Sequence, residues 1–264
     1  MDDFSLKIAL LHLAPTPGAV ERNQSLIETA LQSAADAGAE WIVTPELATT
    51  GYGFAEFIGT DWIQTQPDAW VREVSTFARK HRLAVFLSVP ERRELKLFNS
   101  VIVIDRDGRI AGRHSKINTL AVGSEAWSSP AGPAEAIRLD GFGAVGILIC
   151  ADACSPSISE ALANQGARAL VSPAAWAPGE HGPGGEWEAI SLTTSLPVFV
   201  CNRTGKEPVL DFTDGESVVA FGGERVISLA SPTSAVFLVD WNYADRRLTG
   251  CSRIPVLSRV TSSG

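Results

Sequence analysis

The sequence is poor in cysteine and histidine, has no excess of cationic charge and holds no long apolar run. Its four cysteines, Cys150, Cys154, Cys201 and Cys251, are too few for a disulfide framework in 264 residues. No histidine neighbours Cys150 or Cys154, and His12, His81, His114 and His181 are scattered along the chain, so no zinc spacing is present and neither metal nor other cofactor is expected. A formal net charge of -8 leaves no broad basic surface to neutralise phosphates, which excludes nucleic acid and anionic membrane as partners and favours a small molecule. No apolar stretch approaches the roughly 18 residues of a membrane span. The start "MDDFSLKIAL" lacks a cationic region followed by a long apolar one, so a cytoplasmic protein is expected.

What the chain does contain is an alternation of short apolar runs with helical periodicities. Hydrophobic residues make up 45% of it and charged residues 20%, enough for a sizeable core, and neither a linker nor an internal repeat divides it. One domain over residues 1–264 is expected, with the final "TSSG" frayed. "LKIALLHLA" reads as a buried strand, followed by a helix in which Leu26, Ile27, Ala30, Leu31 and Ala34 share a face and Gly38 supplies the stop. "WIVTPE" gives a second strand, Ala69 to His81 a helix, and "LAVFLSVP" and "NSVIVIDRDG" two more strands. Asp107 and Gly108 turn the latter back into "RIAGRHSK". A strand from about Ala144 to Cys150, a helix over Ser157 to Gln165, the strand "ARALVSP" and a helix from Gly185 to Ser195 follow, then strands at "PVFVCN", "SVVAF" and "AVFLVD". Long central strands flanked by helices and mixed with hairpins indicate a layered α/β architecture. Two irregular stretches, Ile117 to Pro133 and Ala174 to Gly185, are long enough to carry function.

"GFGAVG", Gly141 to Gly146, fits the dinucleotide fingerprint letter for letter, but its glycines precede a strand instead of opening a helix. The helix N-terminus that would face a pyrophosphate is missing, so this is a turn entering a strand.

Three chemically complementary groups fall at the carboxyl ends of strands, where ligand sites assemble in α/β sheets: Glu46, Lys116 and Cys150. Taken singly, each has a plain reading. A cysteine closing an apolar strand is a small buried hydrophobe, a glutamate after proline is a loop charge, and a lysine in "GRHSK" is a surface cation. Together, "TPELATTGYG", "HSKINTL" and "GILICADACSP" resemble the three signatures of the nitrilase superfamily, the carbon–nitrogen hydrolases, in that family's order.

The resemblance implies a four-layer α-β-β-α sandwich, a homodimer or larger homo-oligomer, and hydrolysis of a non-peptide carbon–nitrogen bond. By match to the motifs, Cys150 is the nucleophile, Glu46 the general base and acid, and Lys116 the stabiliser of the oxyanion, joined by the backbone N–H of Ala151. Glu125 stands where the family often has an auxiliary carboxylate, and a loop charge is the alternative. The roles make chemical sense, since a free thiol with pKa ~8.5 needs a base or a cation to become a nucleophile at neutral pH.

The match is imperfect beside the nucleophile. Ala151, Cys154, Ser155, Pro156 and Ser157 occupy positions where relatives carry an aromatic residue or an Arg-aromatic-Pro-Glu run. Asp152, in Cys-x-Asp, leans toward amidases, and capping of the following helix is its plain role. Cys154 reads as a buried inert thiol, with disulfide formation to Cys150 as the alternative. Tyr52, Phe54, Trp127 and Trp176 are the candidate pocket aromatics. The leading expectation is an amidase acting on a small amide. The alternatives are a nitrilase or N-carbamoyl amide hydrolase and, from another class, a non-catalytic binding module.

Overall fold

The computed structural model describes residues 4–120 and 123–256, so the "TSSG" end lies outside the described residues. In chain order the elements are β1 (Ser5–His12), α1 (Val20–Asp36), β2 (Trp41–Val43), α2 (Ala55–Ile58), α3 (Ala69–His81), β3 (Ala84–Arg93), β4 (Lys96–Ile104), β5 (Ile110–Ser115), β6 (Ile137–Leu139) and β7 (Gly143–Ile147). There follow α4 (Pro156–Asn164), β8 (Ala167–Ala174), α5 (Glu186–Thr194), β9 (Val198–Asn202), β10 (Ser217–Phe221), β11 (Glu224–Leu229), β12 (Ala235–Asn242) and β13 (Arg247–Pro255). Single 3₁₀ turns cover Gly123–Glu125 and Cys150–Cys154.

The strands form a seven-stranded sheet, β13-β12-β1-β2-β3-β4-β5, and a six-stranded sheet, β11-β10-β9-β8-β7-β6. The apolar runs do not alternate with polar residues because these strands are covered on both faces. In β1, Ile8 and Leu10 point into the core between the sheets with Val43, Phe86, Ile147, Val171 and Phe199. Ala9 and Leu11 point the other way, against Ile27, Ala30, Leu31 and Ala34 of α1 and Val71, Val74 and Ala78 of α3. On the far side α4 and α5 lie on β8 and β10, completing an α-β-β-α sandwich. Among the described residues, no helix is long and apolar enough to cross a membrane.

The helix over Ala69 to His81 and the Asp107-Gly108 turn form where the sequence predicts them. Gly108 sits at φ 80°, and a Cβ there would meet the Ser75 carbonyl oxygen at 2.5 Å, so only glycine fits this turn. "GFGAVG" is the hairpin joining β6 to β7. The strand leading to Cys150 is shorter than predicted: β7 stops at Ile147, and Cys150 opens the 3₁₀ turn. The backbone continues along the sheet edge only to the Leu148 N–H, which donates to the Val171 carbonyl at 3.0 Å. The sequence reading also passes over β6, β11 and β13. The first is only three residues long, and the other two expose alternate residues, so neither leaves an apolar run.

Candidate active site

Three loops leave the sheets at the same end of the sandwich and bring the singled-out residues together. After β2 the chain turns at Leu47, whose left-handed φ of 49° is secured by its N–H donating to Ser88 Oγ at 2.8 Å. The turn sends Glu46 inward, fully buried, where the Ala175 N–H at the end of β8 donates to its Oε2 at 2.9 Å. Lys116 follows β5 directly, and its N–H bonds the Asn99 carbonyl at 2.8 Å, so the lysine stem enters the interior in register with the sheet.

Lys116 Nζ donates to Glu46 Oε1 at 2.8 Å and to Glu125 Oε2 at 2.7 Å. Glu125, carried by the 3₁₀ turn, is fully buried and is not a surface charge. Asn99, in β4, bridges the same carboxylates, its Nδ2 donating to Glu46 Oε1 at 2.7 Å and to Glu125 Oε1 at 2.9 Å. Tyr52 completes the cluster by donating its hydroxyl to Glu125 Oε2 at 3.3 Å.

The electrostatics follow from burial. Desolvation would drive Lys116 toward the neutral amine, but Glu46, Cys150 and Glu125 outweigh it and hold the ammonium charged well above the usual lysine range. Burial, reinforced by the Glu46 charge, raises Glu125 above an ordinary glutamate despite Lys116 and Asn99. Cys150 is buried beside these groups. Desolvation and the two carboxylates push its thiol well above the free value, against the opposing pull of Lys116 and the Ala175 N–H. Burial thus favours the thiol of Cys150 over the thiolate, even with Lys116 nearby.

Cys150 has φ 47°, a left-handed conformation rarely adopted by residues with a side chain. Asn118 Nδ2 donates to the Ala151 carbonyl at 3.0 Å and to Ser155 Oγ at 2.8 Å, fixing the peptides after the thiol. Asp152 does not cap α4. Its buried carboxylate turns back and takes the N–H groups of Ile149, Ile117 and Asn118 together with His114 Nε2. Cys154 is exposed instead of buried, and both it and Cys150 are free thiols.

The candidate pocket aromatics divide. Tyr52 touches the carboxylate cluster, whereas Phe54 is packed edge-on against Trp62 and Trp127, with ring centroids 5.7 and 5.1 Å away, in a small core under the loops. Trp176 follows Ala175, leans on Trp187 at 5.4 Å and is held at both backbone ends by the Asn202 side chain. It lines a cleft of about 140 Å³ with Pro178, Pro183, Asp214 and Arg225.

The sequence reading missed Asn99, which lies within an ordinary apolar strand pattern, and Arg203 and Glu207. Glu207 accepts the N–H groups of Tyr52 and Gly53 at 2.9 and 2.8 Å and is paired in turn with buried Arg203. The four-residue spacing of opposite charges in "NRTGKE" is the one signal that could have found that pair.

Against known proteins, the sequence profile of the carbon–nitrogen hydrolase family matches residues 7–249. A nitrilase from Pyrococcus abyssi is 28% identical over 237 residues, covering 86% of both chains. An omega-amidase from Danio rerio is 26% identical over 238 residues, covering 86% of this chain and 82% of that one. Among solved structures, a mutant of the amidase from Nesterenkonia sp. AN1, carrying the acetamide moiety of fluoroacetamide covalently at its active-site cysteine, superimposes with a TM-score of 0.78 at 25% identity, covering 91% of this chain and 92% of that one.

Proposed function

The chain belongs to the carbon–nitrogen hydrolase family, and from that premise we propose that it is an amidase that cleaves a small amide through a Cys150 thioester, with Glu46 as base and acid and Lys116 as oxyanion partner. The observation that carries this reading is the buried Lys116 ammonium held between Glu46 and Glu125 beside a thiol that burial keeps protonated. A protonated thiol needs a base in contact range, and a buried carboxylate is the group available.

In the proposed reaction Cys150 Sγ attacks the amide carbon while its proton passes to Glu46. The carbonyl oxygen gains the electron pair and becomes an oxyanion. Lys116 spends two of its three N–H donors on Glu46 and Glu125, which leaves the third for that oxygen. The Ala151 N–H is the second donor, and loss of one such donor typically costs on the order of 10²-fold in rate. Collapse breaks the carbon–nitrogen bond as Glu46 returns the proton to the amine, releasing ammonia and leaving a thioester. Water then gives a proton to Glu46, with Glu125 supporting the charge, and attacks the thioester carbon; the carbon–sulfur bond breaks as Glu46 returns the proton to Cys150 Sγ, freeing the acid and restoring the thiol.

Amides are favoured over other substrates because the amidase from Nesterenkonia sp. AN1 has been solved with butyramide bound, at 26% identity and a TM-score of 0.77. The test incubates wild-type protein and Cys150→Ala with primary amides, N-carbamoyl amino acids and nitriles, following ammonia release and protein mass. Ammonia from amides with a Cys150-dependent acyl adduct is the expected result. Activity confined to nitriles or carbamoyl compounds moves the assignment to those substrates, and absence of both turnover and adduct leaves the non-catalytic binding module.

A further inference from the structure

Asp152 is chemically the most heavily engaged carboxylate near the site, and the reaction above gives it no part. It is fully buried. Its Oδ1 accepts the N–H groups of Ile117 and Asn118 at 3.0 and 2.8 Å, the two residues directly after Lys116. Its Oδ2 accepts the N–H of Ile149, directly before Cys150, at 2.9 Å and lies 2.9 Å from His114 Nε2. One carboxylate thus joins the peptide unit entering the nucleophile turn to those of the lysine loop.

The ionisation state fits that use. Burial alone would raise Asp152, but the His114 contact and the backbone donors outweigh it and hold the carboxyl below its ordinary value. A charged acceptor can take four donors, and a neutral acid or amide cannot. Because His114 Nε2 faces a carboxylate, the proton sits on that nitrogen, and the ring, on β5, ties the same carboxylate to the strand that delivers Lys116.

The strain at Cys150 needs such a restraint. A non-glycine residue at φ 47° is disfavoured and persists only where its surroundings over-determine it. The bond from Ile149 N–H to Asp152 closes the turn on one side, and Asn118, itself held by Asp152, closes it on the other through the Ala151 carbonyl. Released from these bonds, Cys150 would relax toward a right-handed conformation. The thiol and the Ala151 N–H would then rotate away from Lys116.

We propose that Asp152, supported by His114, is a positioning residue for the reaction proposed above, holding the nucleophile turn and the lysine loop in one register without touching substrate. The proposal rests on that reading for its turnover measurement but not for its second one. Asp152→Asn places an amide N–H₂ against either Ile149 N–H or the Ile117 and Asn118 pair, donor facing donor. Its kcat is expected to fall about 100-fold, as a misplacement near 1 Å does, with KM changed by less than about threefold. Alkylation of Cys150 by 2-chloroacetamide, read by mass, falls by a similar factor and requires no turnover. His114→Gln retains an N–H donor and restores most of both rates, whereas His114→Leu does not.

Circular dichroism and thermal unfolding establish the folded fraction, and rates are expressed per folded molecule. If Asp152→Asn fails to fold, His114→Leu carries the same comparison with Asp152 in place. A variant that merely melts earlier while keeping wild-type kcat and alkylation rate overturns the proposal and makes Asp152 a staple of the fold alone. If the wild-type protein turns over no amide yet its alkylation is slowed by these substitutions, the amidase reading fails and the positioning role stands.

Discussion

The Lys116 ammonium lies between two buried carboxylates, an excess of acidic over basic groups. That excess has consequences for Glu125, whose carboxyl burial and the Glu46 charge raise above 4.5. The acid limb of kcat/KM is therefore expected above the ordinary glutamate range in the wild-type enzyme. Glu125→Gln removes the raised carboxyl itself, so the limb moves to lower pH while kcat falls on the order of 10²-fold. A pH–rate profile of both proteins checks this, and an unmoved limb means that Glu125 is not the group that titrates.

Elements matter through the loops they anchor. The loop after β2 is held by buried Glu207, in the loop after β9, whose two oxygens take the Tyr52 and Gly53 N–H groups while Arg203 pairs with it and stacks on Phe212. Glu207→Gln leaves the Arg203 guanidinium buried without its counter-charge, a change expected to lower stability by roughly 3 kcal/mol or more. Denaturant unfolding reads that loss, and Arg203→Met added to Glu207→Gln should recover part of it. Within β7, Gly146 is the other tight point, since a Cβ there would meet Leu170 Cδ2 at 2.6 Å and Leu162 Cδ1 at 2.9 Å. Gly146→Ala forces β7 from β8 and α4, and unfolding should show a loss of about 1–3 kcal/mol.

Across the whole molecule the two sheets meet through a largely apolar core that also holds the buried imidazole of His12. His12 on β1 contacts Ser217 Oγ on β10 at 3.0 Å, and burial lowers its pKa from 6.5 to about 4. The folded protein keeps this ring neutral down to about pH 4, whereas the unfolded chain takes up a proton near 6.5. Stability from this group is thus fully present above 6.5, declines as pH falls, and is lost by about pH 4, amounting to roughly 3 kcal/mol. His12→Asn should flatten the fall in unfolding free energy over that interval, and an unchanged slope assigns it to carboxylates.

Local structure and the identities of the groups proposed to react were legible in the sequence. Apolar runs bounded by turn residues specify β1, β2, β8 and β9 because strands covered on both faces need no polar alternation, and helical spacing specifies α1 and α3. The motifs around Glu46, Lys116 and Cys150 are legible because each is a short contiguous string. Tertiary structure alone decided how those strings meet. The bonds that set the site, from Asn99 to Glu46, Lys116 to Glu46 and Ala175 to Glu46, span 53, 70 and 129 positions, and no local pattern encodes a partner at such distances. The same holds for Asp152, which looks like a helix cap in the sequence and becomes a strap between two loops once the fold lays the Lys116 loop beside it. It holds too for Phe54, an aromatic beside a catalytic motif that the packing of Trp62 and Trp127 takes into a core instead of a pocket.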